Sequence, residues 1–213
     1  MRLFSCLAMI LAAGPASGAD LVLSGGFAPP RTTAVGTPAG GTFPANSSGM
    51  LLLNFGGNIF NFGVLALGYE IPVAFGGPGR ALVATRGLTT ENYAEQANFL
   101  ATPGAPLRIL PAARFTPWVS FGAGVGRLNR AGSLSTPTGS GTLAVAGQTG
   151  DRNVFVISTA GGVDWKPVRF FFVRGEVRNY TFTTPRTAFV GSDAFVGERR
   201  NNLMFLGGIG VRF

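Results

Sequence analysis

Seven charged side chains lie within otherwise apolar segments and are the strongest candidates for a functional site. Each falls on the polar face of an alternating segment, so all of them could meet in one interior. An unpaired charge in such an interior costs on the order of several kcal/mol, so these groups must form ion pairs or contact water. The pattern predicts either a structural network of arginine–carboxylate pairs or an arginine-lined pore that prefers small anions. The candidates are Glu70, Arg108, Asp164, Arg174, Glu176, Arg178 and Arg212.

Residues for nucleophilic catalysis or metal binding are scarce. The chain has no histidine, one cysteine (Cys6) and 9 acidic residues spread along its length. A serine nucleophile needs an adjacent base near neutral pH, and zinc sites usually need histidine or cysteine. The sequence therefore predicts no enzyme, no metal site and no cofactor, although catalysis by carboxylates alone stays open.

The composition favours contact with lipid over a water-facing surface. Charged residues make up 12% of the chain, with 33 glycines and 19 phenylalanines, whereas soluble domains carry about 25% charged residues. The formal net charge is +8, but the arginines are scattered and form no basic run or basic helix. Nucleic acid is therefore not an expected partner.

The first residues have the pattern of a secretory signal peptide. Arg2 precedes an apolar stretch over residues 3–13, and small residues at 16–19 offer cleavage after Gly18 or Ala19. We predict a signal peptide over residues 1–19 and a single domain over residues 20–213; a buried N-terminal helix or strand is the rival interpretation. Cleavage would remove Cys6 and leave a chain with no disulfide.

The rest of the chain predicts strands that alternate apolar with small or polar residues. Residues 49–69 are uncharged, but their glycines and asparagines disfavour a membrane-spanning helix. Without a helix, a closed barrel is the structure in which every backbone N–H and C=O group is hydrogen-bonded in lipid. Short connections at 59–63, 111–114 and 166–169 alternate with long loops at 30–47, 76–96, 129–151 and 183–200, as in an outer-membrane barrel. The predicted strands are 20–29, 48–58, 64–75, 97–110, 115–128, 152–165, 169–182 and 201–213.

Aromatic residues are expected to form two girdles at the membrane interfaces. Near the short connections we place Phe60, Phe62, Phe115, Trp118, Trp165, Phe170, Phe171 and Phe213. Near the long loops we place Phe27, Phe75, Tyr180 and Phe182.

The C-terminal segment, Gly207 to Phe213, resembles the closing strand of outer-membrane β-barrels. Residues 118–127 and 161–178 are similar to parts of small barrels related to the transmembrane domain of outer membrane protein A. This resemblance implies an all-β, eight-stranded, antiparallel, up-and-down transmembrane barrel in the outer membrane of a Gram-negative bacterium. It also implies that Phe213, Val211 and Ile209 form the signal read by the barrel-assembly machinery. Enzymes of this barrel type use a histidine base, which this chain lacks.

Three functions remain open at the level of sequence. The leading hypothesis is a monomeric, porin-like membrane protein with a charge-plugged lumen and a structural or loop-mediated interaction role. The alternatives are a small gated pore for ions or small solutes and a soluble periplasmic barrel that binds an apolar ligand. Outer-membrane lipid and lipopolysaccharide are the expected partners, because arginine suits phosphate; Arg199 and Arg200 are the candidate lipopolysaccharide contacts.

Overall fold

The computed structural model describes residues 18–29, 48–77, 79–86, 89–138, 141–146, 150–183 and 199–213. Within these residues the chain forms eleven β-strands and no helix long and apolar enough to cross a membrane. The strands are β1 (Ala19–Ala28), β2 (Ser48–Asn61), β3 (Leu65–Gly76), β4 (Gly79–Arg86), β5 (Thr89–Ala101), β6 (Gly104–Ile109), β7 (Phe115–Thr138), β8 (Gly141–Ala146), β9 (Gly150–Val168), β10 (Phe171–Thr183) and β11 (Arg199–Arg212).

All pairings are antiparallel, and they close into a barrel with eight strand positions around its wall, each of which we call a stave. The order around the barrel is β1, β2, β3, the consecutive β6 and β5, β7, β9, β10 and β11, which pairs again with β1. β5 and β6 count as one stave because both lie between β3 and β7. Closure leaves the barrel wall without a free sheet edge.

The alternating residue pattern determines which way each side chain points. On β3, Leu65 and Leu67 are exposed while Ala66, Gly68 and Glu70 are buried, and this period of two continues along the strand. Because successive side chains of a strand point to opposite faces, one face of each stave lines the lumen and the other covers the exterior.

The barrel has two distinct ends. The turn end carries the three short connections, at residues 62–64, 110–114 and 169–170, together with Gly18 and Phe213. There Ala19 N donates to Phe213 O at 2.9 Å, and Phe213 N donates to Ala19 O at 3.0 Å. The opposite end, from which β5 and β7 continue, is called the loop end.

Two of the segments predicted as long loops contain strands, which corrects that prediction. Within 76–96, β4 pairs with β5 from Gly79–Gln96 to Arg86–Thr89. Within 129–151, β7 continues to Thr138 and pairs with β8. The Gly, Thr and Ser content of these segments suggested loops, but strand pairing that continues from the barrel outweighs such local preferences. The result is a four-stranded projecting sheet, in the order β4, β5, β7, β8.

Smaller corrections concern boundaries. The predicted strand 97–110 is divided at residues 102–103, and its register shifts between Ala97 and Phe99. Pro167 lies inside β9, next to the register shift opposite Phe171 and Val173, rather than in a turn. The predicted signal peptide up to residue 17, the loop 30–47 and residues 184–198 lie outside the described residues.

Candidate functional site

The lumen at the turn end contains a three-residue charge cluster that joins both terminal strands. Arg212 on β11 donates to both carboxylate oxygens of Asp20 on β1, with Nε–Oδ1 at 2.6 Å and Nη2–Oδ2 at 3.0 Å. Arg108 on β6 reaches across the lumen to the same carboxylate, with Nη2–Oδ2 at 2.7 Å. Arg108 also donates through Nη1 to Asn58 Oδ1. These contacts tie the closing strand pair to the opposite wall.

A second cluster is built around Asp164 on β9. Arg174 on the adjacent β10 forms a bidentate pair with it, at 2.7 Å for Nε–Oδ1 and 2.9 Å for Nη2–Oδ2. Trp118 Nε1 donates to Asp164 Oδ1 at 3.1 Å, and the Arg174 guanidinium lies over the Trp118 ring, 4.6 Å from its centroid. A bidentate pair held by stacking is geometrically well defined.

The third cluster lies in the middle of the barrel and is centred on Arg178. Its Nη2 is 3.0 Å from Glu70 Oε1, and its Nε donates to Glu176 Oε1. Ser120 Oγ donates to Glu70 Oε1 at 2.6 Å and Asn54 Nδ2 donates to Glu70 Oε2 at 3.0 Å. The Arg178 side chain is 0% exposed, so its charge is balanced by these two carboxylates rather than by bulk water.

Lys166 anchors the 110–114 turn to β9. Its Nζ donates to Thr116 Oγ1 at 2.7 Å and to the carbonyl oxygen of Pro111. Thr116 Oγ1 in turn donates to the carbonyl oxygens of Leu110 and Ala113, both at 3.3 Å. The sequence-based prediction placed 111–114 as a simple tight turn and gave Lys166 no role.

The loop-end half of the lumen is apolar. Among the side chains that the structure describes, a cluster of buried apolar residues lies there, and we call this cluster the apolar plug. It consists of Met50, Leu52, Ala74, Ala97, Leu100, Leu128, Val154, Val156, Tyr180, Phe182, Met204 and Leu206. The lumen therefore has two zones, a charged one toward the turn end and an apolar one toward the loop end.

The structure places the seven sequence-predicted lumen charges on the inner face. Six of them are buried, and the Arg212 side chain, at the turn end, is 25% exposed. They do not form one network but three clusters. The described lumen contains four arginines in ion pairs and four carboxylates, so these charges balance.

Several contributors to the site were missed from the sequence. Asp20 was overlooked although it alternates with Val22 and Ser24 on the buried face of β1. Asn54, Asn58 and Ser120 lie on the same strand face as recognised lumen residues. Their parity, meaning their odd or even position along the strand, therefore predicted that they face the lumen.

Three aromatic residues assigned to the girdles lie inside the barrel instead. Trp118 is 2% exposed, Tyr180 is 1% exposed and Phe182 is 4% exposed. Trp118 has the same parity as Thr116 and Ser120, and the other two have the same parity as Arg174, Glu176 and Arg178. The position of these three residues near strand ends suggested a girdle, but the alternation along the strand determines whether a side chain points into the lumen or to the exterior. The other aromatics proposed for the girdles are exposed, including Phe60, Phe62, Phe115, Trp165, Phe170, Phe213, Phe27 and Phe75.

The soluble alternative, with an apolar lumen and Arg174, Glu176 and Arg178 facing water, is wrong. All three of these side chains are buried in ion pairs, and the exterior carries the large apolar side chains, such as Phe121 and Phe155. Within the described residues no group of three or more acidic, histidine or cysteine side chains is arranged to hold a metal ion.

Comparison with known proteins finds similarity in fold. No protein-family model matches the chain, and no curated protein matches it. Among solved structures it is similar to Neisserial surface protein A, with 10% identity, coverage of 92% of this chain and 97% of that one, and a TM-score of 0.48. It is also similar to Ail, the attachment invasion locus protein of Yersinia pestis, with 15% identity, coverage of 92% and 99%, and a TM-score of 0.44.

A third similar structure is the outer membrane protease OmpT from Escherichia coli, with 10% identity, coverage of 92% and 96%, and a TM-score of 0.46. A surface protein, an attachment protein and a protease are thus all similar to this chain, so the likeness does not select an activity. At these identities the likeness concerns the fold alone.

Proposed function

We propose that the chain is an integral outer-membrane barrel with a closed lumen, which acts as a membrane anchor and presents its loop-end strands for surface interactions. The observation that carries this proposal is the inside-out distribution of its side chains. Paired charges such as Arg178 and Glu70 are buried, whereas the large apolar side chains are on the exterior. Such an exterior is stable in lipid and would aggregate in water.

The height of the apolar exterior matches a membrane. On β7 the outward positions from Phe115 to Val125 carry only apolar residues, and the exposed Arg114 and Arg127 lie on either side of them. At about 3.4 Å per residue and a strand tilt of about 40°, this stretch is about 26 Å tall. The apolar band of outer-membrane barrels is about 25 Å tall.

The orientation follows from the lengths of the connections. Short turns and both chain ends lie on the periplasmic side of outer-membrane barrels, and long loops lie outside. The turn end of this barrel is accordingly assigned to the periplasm and the projecting sheet to the cell surface.

Membrane extraction and gel mobility test this function. The protein should fractionate with the outer membrane, require detergent for extraction, and migrate differently on gels before and after heating, because the closed barrel resists unfolding by the detergent. A product that stays soluble without detergent contradicts the proposal.

A small gated pore is the second candidate, and the charged turn-end zone of the lumen favours it. Arginine side chains such as Arg108 and Arg174 would give such a pore a preference for small anions. Planar-bilayer recording of the refolded protein separates the two functions. Silence supports the closed anchor, and steady, large conductance supports the pore.

Lipopolysaccharide remains the proposed partner at the outer surface. Arg199 and Arg200 begin β11 at the loop end, at the level where lipid A phosphates lie in the outer leaflet. Replacing both by glutamate should weaken lipopolysaccharide co-purification, because the phosphates would then be repelled. Unchanged co-purification would remove these two residues from the proposal.

A further inference from the structure

An aromatic shelf lies on the exterior where β7 and β9 meet at the turn end. The rings of Phe115 and Trp165 are stacked, with centroids 6.5 Å apart and an interplanar angle of 14°. Both side chains are exposed, and the two residues are direct cross-strand partners. Flat aromatic surfaces of this kind lie at the headgroup level of a bilayer.

Two exposed arginines lie at the same end of the barrel as this shelf. Arg114 immediately precedes Phe115, and its carbonyl oxygen accepts from Lys166 N at 2.8 Å, which places it next to the β9 strand. Arg169 lies in the turn between β9 and β10, and its guanidinium is 5.6 Å from the centroid of the Phe170 ring. Both arginines are therefore at the same end of neighbouring strands.

Neither of these arginines forms an ion pair within the residues that the structure describes, since no acidic side chain there lies within 4.0 Å of Arg114 or Arg169. The acidic residues nearest this end, Asp20 and Asp164, are at most 1% exposed and already bind lumen arginines.

We propose that Arg114 and Arg169, beside the stacked Phe115–Trp165 pair, form a binding site for the phosphate of an anionic phospholipid in the periplasmic leaflet. The arginines supply charge-assisted hydrogen bonds to phosphate oxygens. The rings of Phe115 and Trp165 pack against the glycerol and the upper acyl chain. This inference rests on the proposed membrane orientation.

Trp165 is a built-in reporter for such a lipid. The chain has two tryptophans; Trp165 lies in the proposed site and Trp118 is buried in the lumen. The protein is refolded into vesicles of phosphatidylcholine that contain equal fractions of either brominated phosphatidylglycerol or brominated phosphatidylcholine. Bromine quenches tryptophan fluorescence on contact, so the ratio of quenching reports the preference for the anionic lipid.

We expect phosphatidylglycerol to be preferred by up to about 25-fold, since each of the two arginines contributes about a five-fold gain near an anionic headgroup. The preference should fall to about one in Arg114→Gln/Arg169→Gln. The matched control Arg127→Gln/Arg152→Gln, which alters two exposed arginines of the loop end, should retain it. Soluble glycerol phosphate should not abolish the preference, because the shelf contributes only when an acyl chain is attached.

Equal quenching by the two lipids in the unmodified protein would overturn the inference, as would a preference that survives Arg114→Gln/Arg169→Gln. Loss of the preference on adding glycerol phosphate would reassign the site to free phosphate. Heat-dependent gel mobility is measured on the same samples. Failure to fold in vesicles refutes the proposed function, whereas a folded barrel without lipid preference refutes this inference alone.

Discussion

Arg178 illustrates how a single buried charge can organise the interior. It lies on β10 and contacts Glu176 of its own strand and Glu70 of β3, on another part of the wall. The desolvation of three charges is offset only because all of them are paired, and removal of one partner leaves the others unpaired in a medium of low dielectric.

Replacement of Arg178 by methionine should therefore be severely destabilising. We expect a loss of about 3–5 kcal/mol in the free energy of unfolding, measured by urea titration of the protein in phosphatidylcholine vesicles. The triple variant Arg178→Met/Glu70→Gln/Glu176→Gln should recover part of this loss, because no unpaired charge then remains.

Arg127→Met is the control for the loss of an ion pair. Arg127 Nη2 is 2.5 Å from Asp151 Oδ2, but the two side chains are 58% and 35% exposed. Its replacement should cost less than about 1 kcal/mol. Equal losses at Arg127 and Arg178 would show that burial does not determine the strength of these pairs.

At the scale of single residues, parity was predictable from the sequence but pairing was not. Alternation alone places Glu70, Arg174 and Arg178 in the lumen. It does not give the division of the charges into three clusters, since that depends on strand tilt and on which walls face each other. Trp118 was misassigned because its proximity to a strand end was given more weight than its parity.

At the scale of elements, close backbone approach explains the interruption between β5 and β6. A Cβ at Gly124 of β7 would lie 1.9 Å from the carbonyl oxygen of Ala101 and 2.9 Å from Thr102 Cα. The chain can approach this closely only because residue 124 has no side chain. Gly175 of β10 differs, since a Cβ there would meet nothing within 4 Å.

Gly124→Ala should therefore destabilise the barrel, whereas Gly175→Ala should be neutral or slightly stabilising. We expect a loss of about 1–3 kcal/mol for Gly124→Ala from overpacking and a gain of up to about 1 kcal/mol for Gly175→Ala. Urea unfolding in vesicles measures both, and a similar loss in both variants would contradict the role of close approach.

The closing strand supports a prediction about assembly in cells. Phe213, Val211 and Ile209 lie on the exposed face of the C-terminal segment, where the assembly machinery would contact them. Phe213→Ala should reduce the amount of heat-modifiable barrel in the outer membrane but leave refolding of the purified protein unchanged. Phe205→Ala, on the same face of β11, is the control, and an equal reduction there would argue against a terminal signal.

The barrel staves were largely predictable because lipid and lumen impose a strict period of two. β4 and β8 were not, since outside the membrane neither face needs to be uniformly apolar and the pattern weakens. The divided stave was also missed, because the register shift between Ala97 and Phe99 depends on backbone contacts with β7.

At the scale of the whole molecule, two different zones of the lumen lie in series, and each is a barrier in the closed barrel that we propose. The charged clusters lie toward the turn end, and the apolar plug lies toward the loop end. Removal of a charge from the first zone leaves the second intact, and an apolar constriction excludes water and ions by dewetting.

Single charge variants should therefore remain closed. In planar bilayers we expect Glu70→Ala to be as silent as the unmodified protein, and Glu70→Ala/Leu52→Ser/Leu206→Ser to show resolvable conductance. The control is Glu70→Ala/Leu53→Ser/Leu206→Ser, in which the serine at position 53 lies on the exterior of the barrel rather than in the apolar plug. Conductance in Glu70→Ala alone, equal to that of the combination, would show that the apolar plug is no barrier.

The projecting sheet differs from the barrel in one respect that isotope labelling can detect. Among the described strands, β4 pairs only with β5, and β8 pairs only with β7, so each has one side where amide hydrogens face water. In deuterated buffer these amides should exchange early, while those of the barrel wall stay protonated for as long as the ring is closed. The exchange map would thus separate the outer edges of the projecting sheet, on β4 and β8, from the barrel wall.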